Sequence, residues 1–167
     1  DAIAHGYTSF NRDVIARNTS RRNFRIYKYD GYFANIGSLA DYYSHSMELL
    51  GTPENRDEIF GIKTRPIYTK VRNSAPTRYA ESSVVKNSLV ADGCIIDGTV
   101  ENSIIFRGVK ISRGATVKNS ILFQDTVIGE NVFLNCVITD KNVVIRDGRI
   151  LSGHETLPFF VEKNRLV

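Results

Sequence analysis

From residue 84 onward the chain repeats at an interval that an α-helix cannot use. Val90 and Ile96 lie six residues apart, as do Ile105, Ile111 and Val117, and then Leu122, Ile128 and Leu134. Six steps of about 100° each spread side chains around a helix instead of lining up one face. A strand keeps them on one face, because six is an even number of alternations. Further small or apolar residues, Cys94, Val109, Ala115 and Val132, follow four residues after members of this set. Hexapeptide periodicity predicts a parallel β-helix in which stacked aliphatic side chains form one continuous core.

A longer repeat runs over the short one. The segments VKNSLV (85–90), VENSII (100–105), VKNSIL (117–122) and LNCVI (134–138) share a plan, and Asn87, Asn102, Asn119 and Asn135 are spaced by 15, 17 and 16 residues. Three short faces per coil account for that length, so about four coils are expected. Asparagine tolerates the left-handed backbone region that a corner demands, and stacked asparagines can hydrogen-bond from coil to coil. Ser88, Ser103, Ser120 and Cys136 read as a companion ladder of small residues. At the end, Gly148, Gly153 and Pro158 break the pattern, and LPFFVEKNRLV is expected to cover the last rung or to leave it against another subunit.

The chain ahead of the repeats follows other rules. FRIYKYD (24–30) alternates as a strand would. Ser38 is placed to cap a helix, with Asp41 three residues on as its capping-box partner. Leu39, Tyr42, Tyr43, Met47, Leu49 and Leu50 follow at helical spacing, and Gly51 ends the run. Residues 11–20 suit a shorter helix. The stretch from Thr52 to Tyr79 is polar, carries Pro53, Pro66 and Pro76, and reads as a linker. The plan is therefore a front region (1–60), a linker (61–80) and a β-helix (81–167).

Three features of this plan bear on chemistry. Asn35-Ile36-Gly37 forms a turn at the start of the helix opened by Ser38, where free amides can meet phosphate. Arg65, Lys70, Arg72, Arg78 and Arg107 could gather as an anion site, since arginine forks pair with phosphate; a solvated basic linker explains them equally simply. His5, His45 and His154 all lie outside the coils, which argues against a hexapeptide acyltransferase, the main alternative enzyme class. Residues 1–79 hold 12 Lys/Arg against 8 Asp/Glu, and residues 80–167 hold 10 against 10. That excess is too mild and diffuse for a nucleic-acid surface. No apolar run approaches the ~20 residues of a membrane span, and the first residues do not form a signal peptide. The chain starts without methionine, as a piece of a longer protein or a processed product would. Two cysteines without a CxxC pair suit buried thiols in a reducing cytosol.

The order of these segments, DGYFANIGSLADYYSHSMELL, then RPIYTKVRNSAPTRY, then VVKNSLVADGCIIDGTVENSIIF, resembles the ADP-glucose pyrophosphorylase (glucose-1-phosphate adenylyltransferase) family over roughly residues 10–150. The resemblance implies that 1–60 are the end of a nucleotidyltransferase domain, a small α/β remnant. It implies that 81–167 form a left-handed parallel β-helix, so that the whole is mainly β. It also implies a pathway, ADP-glucose synthesis from ATP and glucose 1-phosphate for glycogen, and a cytoplasmic setting. In that family an aspartate at the position of Asn35 helps hold the catalytic magnesium. Magnesium favours anionic oxygen ligands, and an amide oxygen supplies far less of the required charge. Asn35, with Gly37 and Ser38, therefore reads as a vestigial substrate turn, and the expected metal and cofactor content of this chain is none. The family's glycine-rich phosphate loop and sugar-phosphate lysine have no match here. This departure is similar to the D-type glycogen-biosynthesis subunit, which associates with a catalytic subunit and has weak or no activity of its own. The partners implied are a second copy or a catalytic subunit, with a sugar-phosphate effector near Arg65, Arg72 and Arg78.

Overall fold

The computed structural model describes residues 2–62, 64 and 66–167. The chain forms two compact units, one ending at Gly31 and the other spanning Tyr32–Val167.

In the first unit, a π-helical turn at Phe10–Ile15 runs into a 3-10 turn at Ala16–Asn18. This is the helix expected over 11–20, formed with irregular winding. Asp13 organises it. The buried carboxylate accepts hydrogen bonds from the Thr8 and Ser9 amides (3.2 and 3.0 Å) and pairs with Arg12 and Arg17. Asp13 thus does for the orphan amides what a capping residue does at an ordinary helix start. The strand expected over 24–30 is not formed: that stretch has no regular secondary structure and joins no sheet among the described residues. Alternation prepares a segment to pair, but a strand also needs a neighbour for its amides and carbonyls.

The second unit opens with helix α1 (Leu39–Glu48). Ser38 is its N-cap in extended conformation, and the Ser38 hydroxyl accepts from the Asp41 amide at 3.1 Å. A second helix, α2 (Pro53–Phe60), lies in the stretch expected to be linker. Pro53 is the reason. At the first helical position its missing N–H costs nothing and its fixed φ suits the helix. Arg56 on α2 then donates to the Leu49 carbonyl at 3.0 Å, satisfying an orphan acceptor at the end of α1.

Residues 78–161 wind through five rungs of three strands. The first rung is β1 (Arg78–Tyr79), β2 (Val84–Lys86) and β3 (Leu89–Val90); the second is β4 (Ile95–Ile96), β5 (Thr99–Glu101) and β6 (Ile104–Ile105). The third holds β7 (Lys110–Ile111), β8 (Thr116–Lys118) and β9 (Ile121–Leu122). The fourth holds β10 (Val127–Ile128), β11 (Phe133–Asn135) and β12 (Val137–Thr139), and the fifth β13 (Val144–Ile145), β14 (Ile150–Ser152) and β15 (Phe159–Val161). Every third strand pairs in parallel, giving sheets β1-β4-β7-β10-β13, β2-β5-β8-β11-β14 and β3-β6-β9-β12-β15. This is the hexapeptide-repeat parallel β-helix. Ile96, Ile105, Ile111, Val117, Leu122, Ile128 and Leu134 are all buried in one core, with Cys94, Val109, Ala115 and Val132 beside them.

The corner ladder differs from the expected register at its fourth step. Val117 pairs with Leu134 and Lys118 with Asn135, so the repeat lengths are 15, 17 and 17. The left-handed corner residues are Asn87, Asn102, Asn119 and then Cys136, not Asn135. Asn135 stays in the hydrogen-bond ladder nonetheless, accepting from the Asn119 amide at 2.9 Å. The small-residue column ends correspondingly at Val137. Ser88, Ser103 and Ser120 each accept from the backbone N–H one coil on, those of Ser103, Ser120 and Val137, each at 3.1 Å. Their hydroxyls donate to carbonyls two residues back. The buried corner is thus satisfied at every step, as buried backbone must be.

The tail extends the stack instead of lying across it. Phe159–Val161 pairs in register with Val137–Thr139, and Leu166 bridges Val144. An extended chain at an open sheet edge gains a ladder of hydrogen bonds that a crosswise cover would forgo. One corner is tight: a Cβ on Gly98 would stand 2.5 Å from the Ala115 carbonyl oxygen and 3.0 Å from that of Ser112. Only glycine fits where the 15-residue coil omits two residues.

Candidate functional site

The turn singled out by the sequence lies at the N-terminus of α1, and Asn35, Gly37 and Ser38 are all exposed there. The Asp41 carboxylate folds back to accept from the Gly37 amide at 3.2 Å, while the Ser38 hydroxyl takes the Asp41 amide. Two amides of this helix start, those of Gly37 and Asp41, are therefore engaged, and a carboxylate already stands beside them. The donor set does not suit magnesium either. Asn35 offers a neutral oxygen, and Asp41, the carboxylate of the first turn of α1, is spent on Gly37. Among the described residues no three His, Cys, Asp or Glu side chains come together as a metal-holding group.

The basic residues are spread out. Arg72 is exposed in a stretch without regular secondary structure, and Arg78 is exposed on β1 at the edge of its sheet. Arg65 lies outside the described residues. Arg107 is occupied: it pairs with Asp92 at 2.7 Å and donates to the Lys70 carbonyl at 2.8 Å. The Ser74 hydroxyl, and then Arg107, hold the Asp92 carboxyl below the usual range. Arg107 thus straps the segment before β1 onto a coil corner. His45 sits on α1 beside Glu48 (3.2 Å), and His154 bonds Thr156 within the tail. Both cysteines are buried free thiols, and burial pushes that of Cys94 up.

The structure also assembles two features that the sequence did not suggest. A cleft of about 620 Å³ in the first unit is lined by His5, Tyr7, Asn18, Arg21, Arg22 and Phe24. In the second unit α1 packs on the outward face of the β6-β9-β12 sheet. Tyr43 is buried against Ile121, Cys136 and Ile138, with Tyr42, Met47, Ile104, Phe106 and Phe123 around them. The Tyr43 hydroxyl donates to the Asn119 carbonyl at 2.7 Å, and burial pushes its phenol well up from the ordinary value. Phe106 and Phe123 stack at 4.6 Å, and Tyr42 stacks on Phe123 at 6.1 Å. Only a signal for outward aliphatics could have revealed this platform: Ile104, Ile121 and Ile138 occupy strand positions that would face water in a bare coil.

The three-sided parallel coil with asparagine corners defines a hexapeptide-repeat protein, and the chain belongs to the GlmU-like C-terminal hexapeptide family, whose model matches residues 73–156. Beyond the coil, the chain is similar to the glycogen biosynthesis protein GlgD of Bacillus subtilis (strain 168), 41% identical over 158 residues, which are 95% of this chain and 45% of that protein. GlgD of Geobacillus stearothermophilus is 51% identical over 74 residues, 43% of this chain and 20% of that one. A glucose-1-phosphate adenylyltransferase of Bacillus thuringiensis (strain Al Hakam) is 31% identical over 146 residues, 85% of this chain and 38% of that one. The chain thus spans less than half the length of these relatives. The likeness to glucose-1-phosphate adenylyltransferases, and to the D-type subunit among them, agrees with the resemblance drawn from the sequence. Among the described residues no helix is long and apolar enough to cross a membrane.

Proposed function

We propose that the chain is the C-terminal part of a GlgD-type subunit that serves glycogen biosynthesis in the cytoplasm by assembling with a catalytic glucose-1-phosphate adenylyltransferase. In this reading it performs no nucleotidyl transfer itself. The observation that carries it is the match to GlgD, which runs through both the α1 region and the coil at 41% identity. The Asn35 turn supports it, since its Gly37 amide is held by Asp41 and its polar residue carries no charge. Magnesium and the phosphate-binding groups then belong to the catalytic partner. A sugar-phosphate effector near the exposed Arg72 and Arg78 is part of the same reading, supported by their charge alone.

The test is to mix the chain with a catalytic subunit and to follow both mass by light scattering and ADP-glucose formation from ATP and glucose 1-phosphate. A mixed oligomer, with no product from the chain alone or from its Asn35→Asp variant, is expected. A chain that ignores the catalytic subunit, or that makes ADP-glucose by itself, overturns the reading.

A further inference from the structure

Helix α1 rests on the coil by an unusual contact. Of its ten residues only Tyr43 is fully buried, with Tyr42 and Met47 partly buried beside it, and the Tyr43 hydroxyl donates to the Asn119 carbonyl with the Cys136 thiol close by. A void of about 280 Å³ remains beside its C-terminal half, lined by Tyr43, Ser44, Met47, Glu48, Asn119 and Glu155. A helix this short is marginal in water without its packing partner. The coil beneath is different: its core runs unbroken from Cys94 to Val161 and includes no residue of α1. Few buried apolar contacts on one side of a joint and many on the other are the conditions for local opening below the global unfolding free energy.

The repeat itself is altered where α1 lands. Three coils place asparagine at the left-handed corner, and the fourth places Cys136 there, at φ 52°. Cys136 packs against Tyr43 and is 4% exposed. Asparagine at that corner would set a polar amide under the ring, whereas a thiol behaves as a small apolar group. Asn135, one residue earlier, keeps the bond that the asparagine ladder needs. The exchange of Asn for Cys in an otherwise regular column is what a seat for Tyr43 requires.

We propose that α1 is a latch: it opens and closes on a coil that stays folded, carries the Asn35–Ser38 turn with it, and uncovers Cys136 when it opens. The inference does not depend on the pathway reading above. Cys136 is its reporter, and Cys94, buried in the coil core with its thiol donating to the Phe106 carbonyl at 3.1 Å, is the control.

The experiment is alkylation of the full chain with iodoacetamide, read at each cysteine by peptide mass spectrometry. Urea is raised in steps below the unfolding transition, with β-sheet circular dichroism followed in parallel. Cys136 is expected to react at a rate nearly independent of urea while the β signal is unchanged. Tyr43→Phe, which removes the hydroxyl that bonds the Asn119 carbonyl, is expected to raise that rate roughly tenfold. Amide exchange over residues 39–48 should rise in proportion, and Cys94 should not respond. Tyr43→Ala gives a second, larger step in the same direction. A Cys136 rate unchanged in both variants, or one that climbs with urea in step with loss of the β signal, overturns the latch.

Discussion

Ile128 and Ile26 are the same side chain in two situations. Ile128 is wholly buried between Ile111 and Ile145, its partners in the strands above and below. Ile26 is 98% exposed in a stretch that joins no sheet. Apolar content does not separate the two regions, since FRIYKYD is as rich in apolar residues as most segments of the coil. What separates them is the source of the neighbour. In the coil each strand is stacked on the strand of the previous turn, so the repeat supplies its own partner and burial follows from periodicity alone. Ahead of the coil no repeat supplies one, and an alternating segment keeps its apolar side in water.

The largest expected effect tests this contrast directly. Ile128→Ala should cost about 3–4 kcal/mol in urea unfolding, the usual range for a buried isoleucine cut to alanine. Ile26→Ala should change stability by less than about 0.5 kcal/mol, as exposed substitutions do. Equal costs at the two positions would break the comparison.

Next in size is Gly98→Ala. The new methyl would be driven against two backbone carbonyls that side-chain motion cannot clear. A loss of about 1–3 kcal/mol is expected, the range of overpacking elsewhere, against little change for an alanine at an exposed, non-glycine corner position such as Glu130. Ser103→Ala should cost about 2 kcal/mol by the same measurement, because it leaves the buried Ser120 amide without its partner and takes one of two donors from the Glu101 carbonyl. A neutral Ser103→Ala would mean that the serine column merely fills space.

The smallest effects are electrostatic and distinguish the regions by where they act. Arg12, then the Ser9 amide, bring the Asp13 carboxyl down from 3.8 to about 2. A folded-state value below the ordinary one means stabilisation that is present above about pH 4 and lost as the pH falls towards 2. Hydrogen-exchange protection of the Thr8 and Ser9 amides should fade across that window, and Asp13→Asn should remove the dependence. In the coil, Lys118, with Lys86 on its other side, holds the Glu101 carboxyl below its usual value. That ladder lies at the surface, so salt should weaken it. Coil stability should fall slightly as acid neutralises Glu101, and Glu101→Gln should flatten the acid limb.

Much of the coil was legible residue by residue. The sixfold spacing of Ile105, Ile111 and Val117 specified which side chains point inward, because a strand's alternation is a local property. The asparagine corners were legible for the same reason up to Asn119. At the next corner residue type points to Asn135 while Cys136 occupies the position, because residue type does not fix register. Leu134 pairing with Val117 decides the register, and that pairing is a contact between coils. Similarly, the Ser38 cap could be read from four residues, and α2 was masked by its proline, which starts the helix there and does not interrupt it.

The candidate site was legible only in part. That Asn35 lacks a charge is a fact of one residue, and so is the helix start beside it. That Asp41 already engages the Gly37 amide, that Arg107 is committed to Asp92 and Lys70, and that Tyr43 seats α1 on Ile121, Ile138 and Cys136 are relations across as many as 95 positions of sequence. The spacing of residues along the chain is enough to specify the coil, since a repeat carries its partner's position within its own period. What lies against the coil's outer face is set by folding in three dimensions, because a single helix docking once leaves no period to read, only a column of isoleucines and one cysteine where asparagine would otherwise stand.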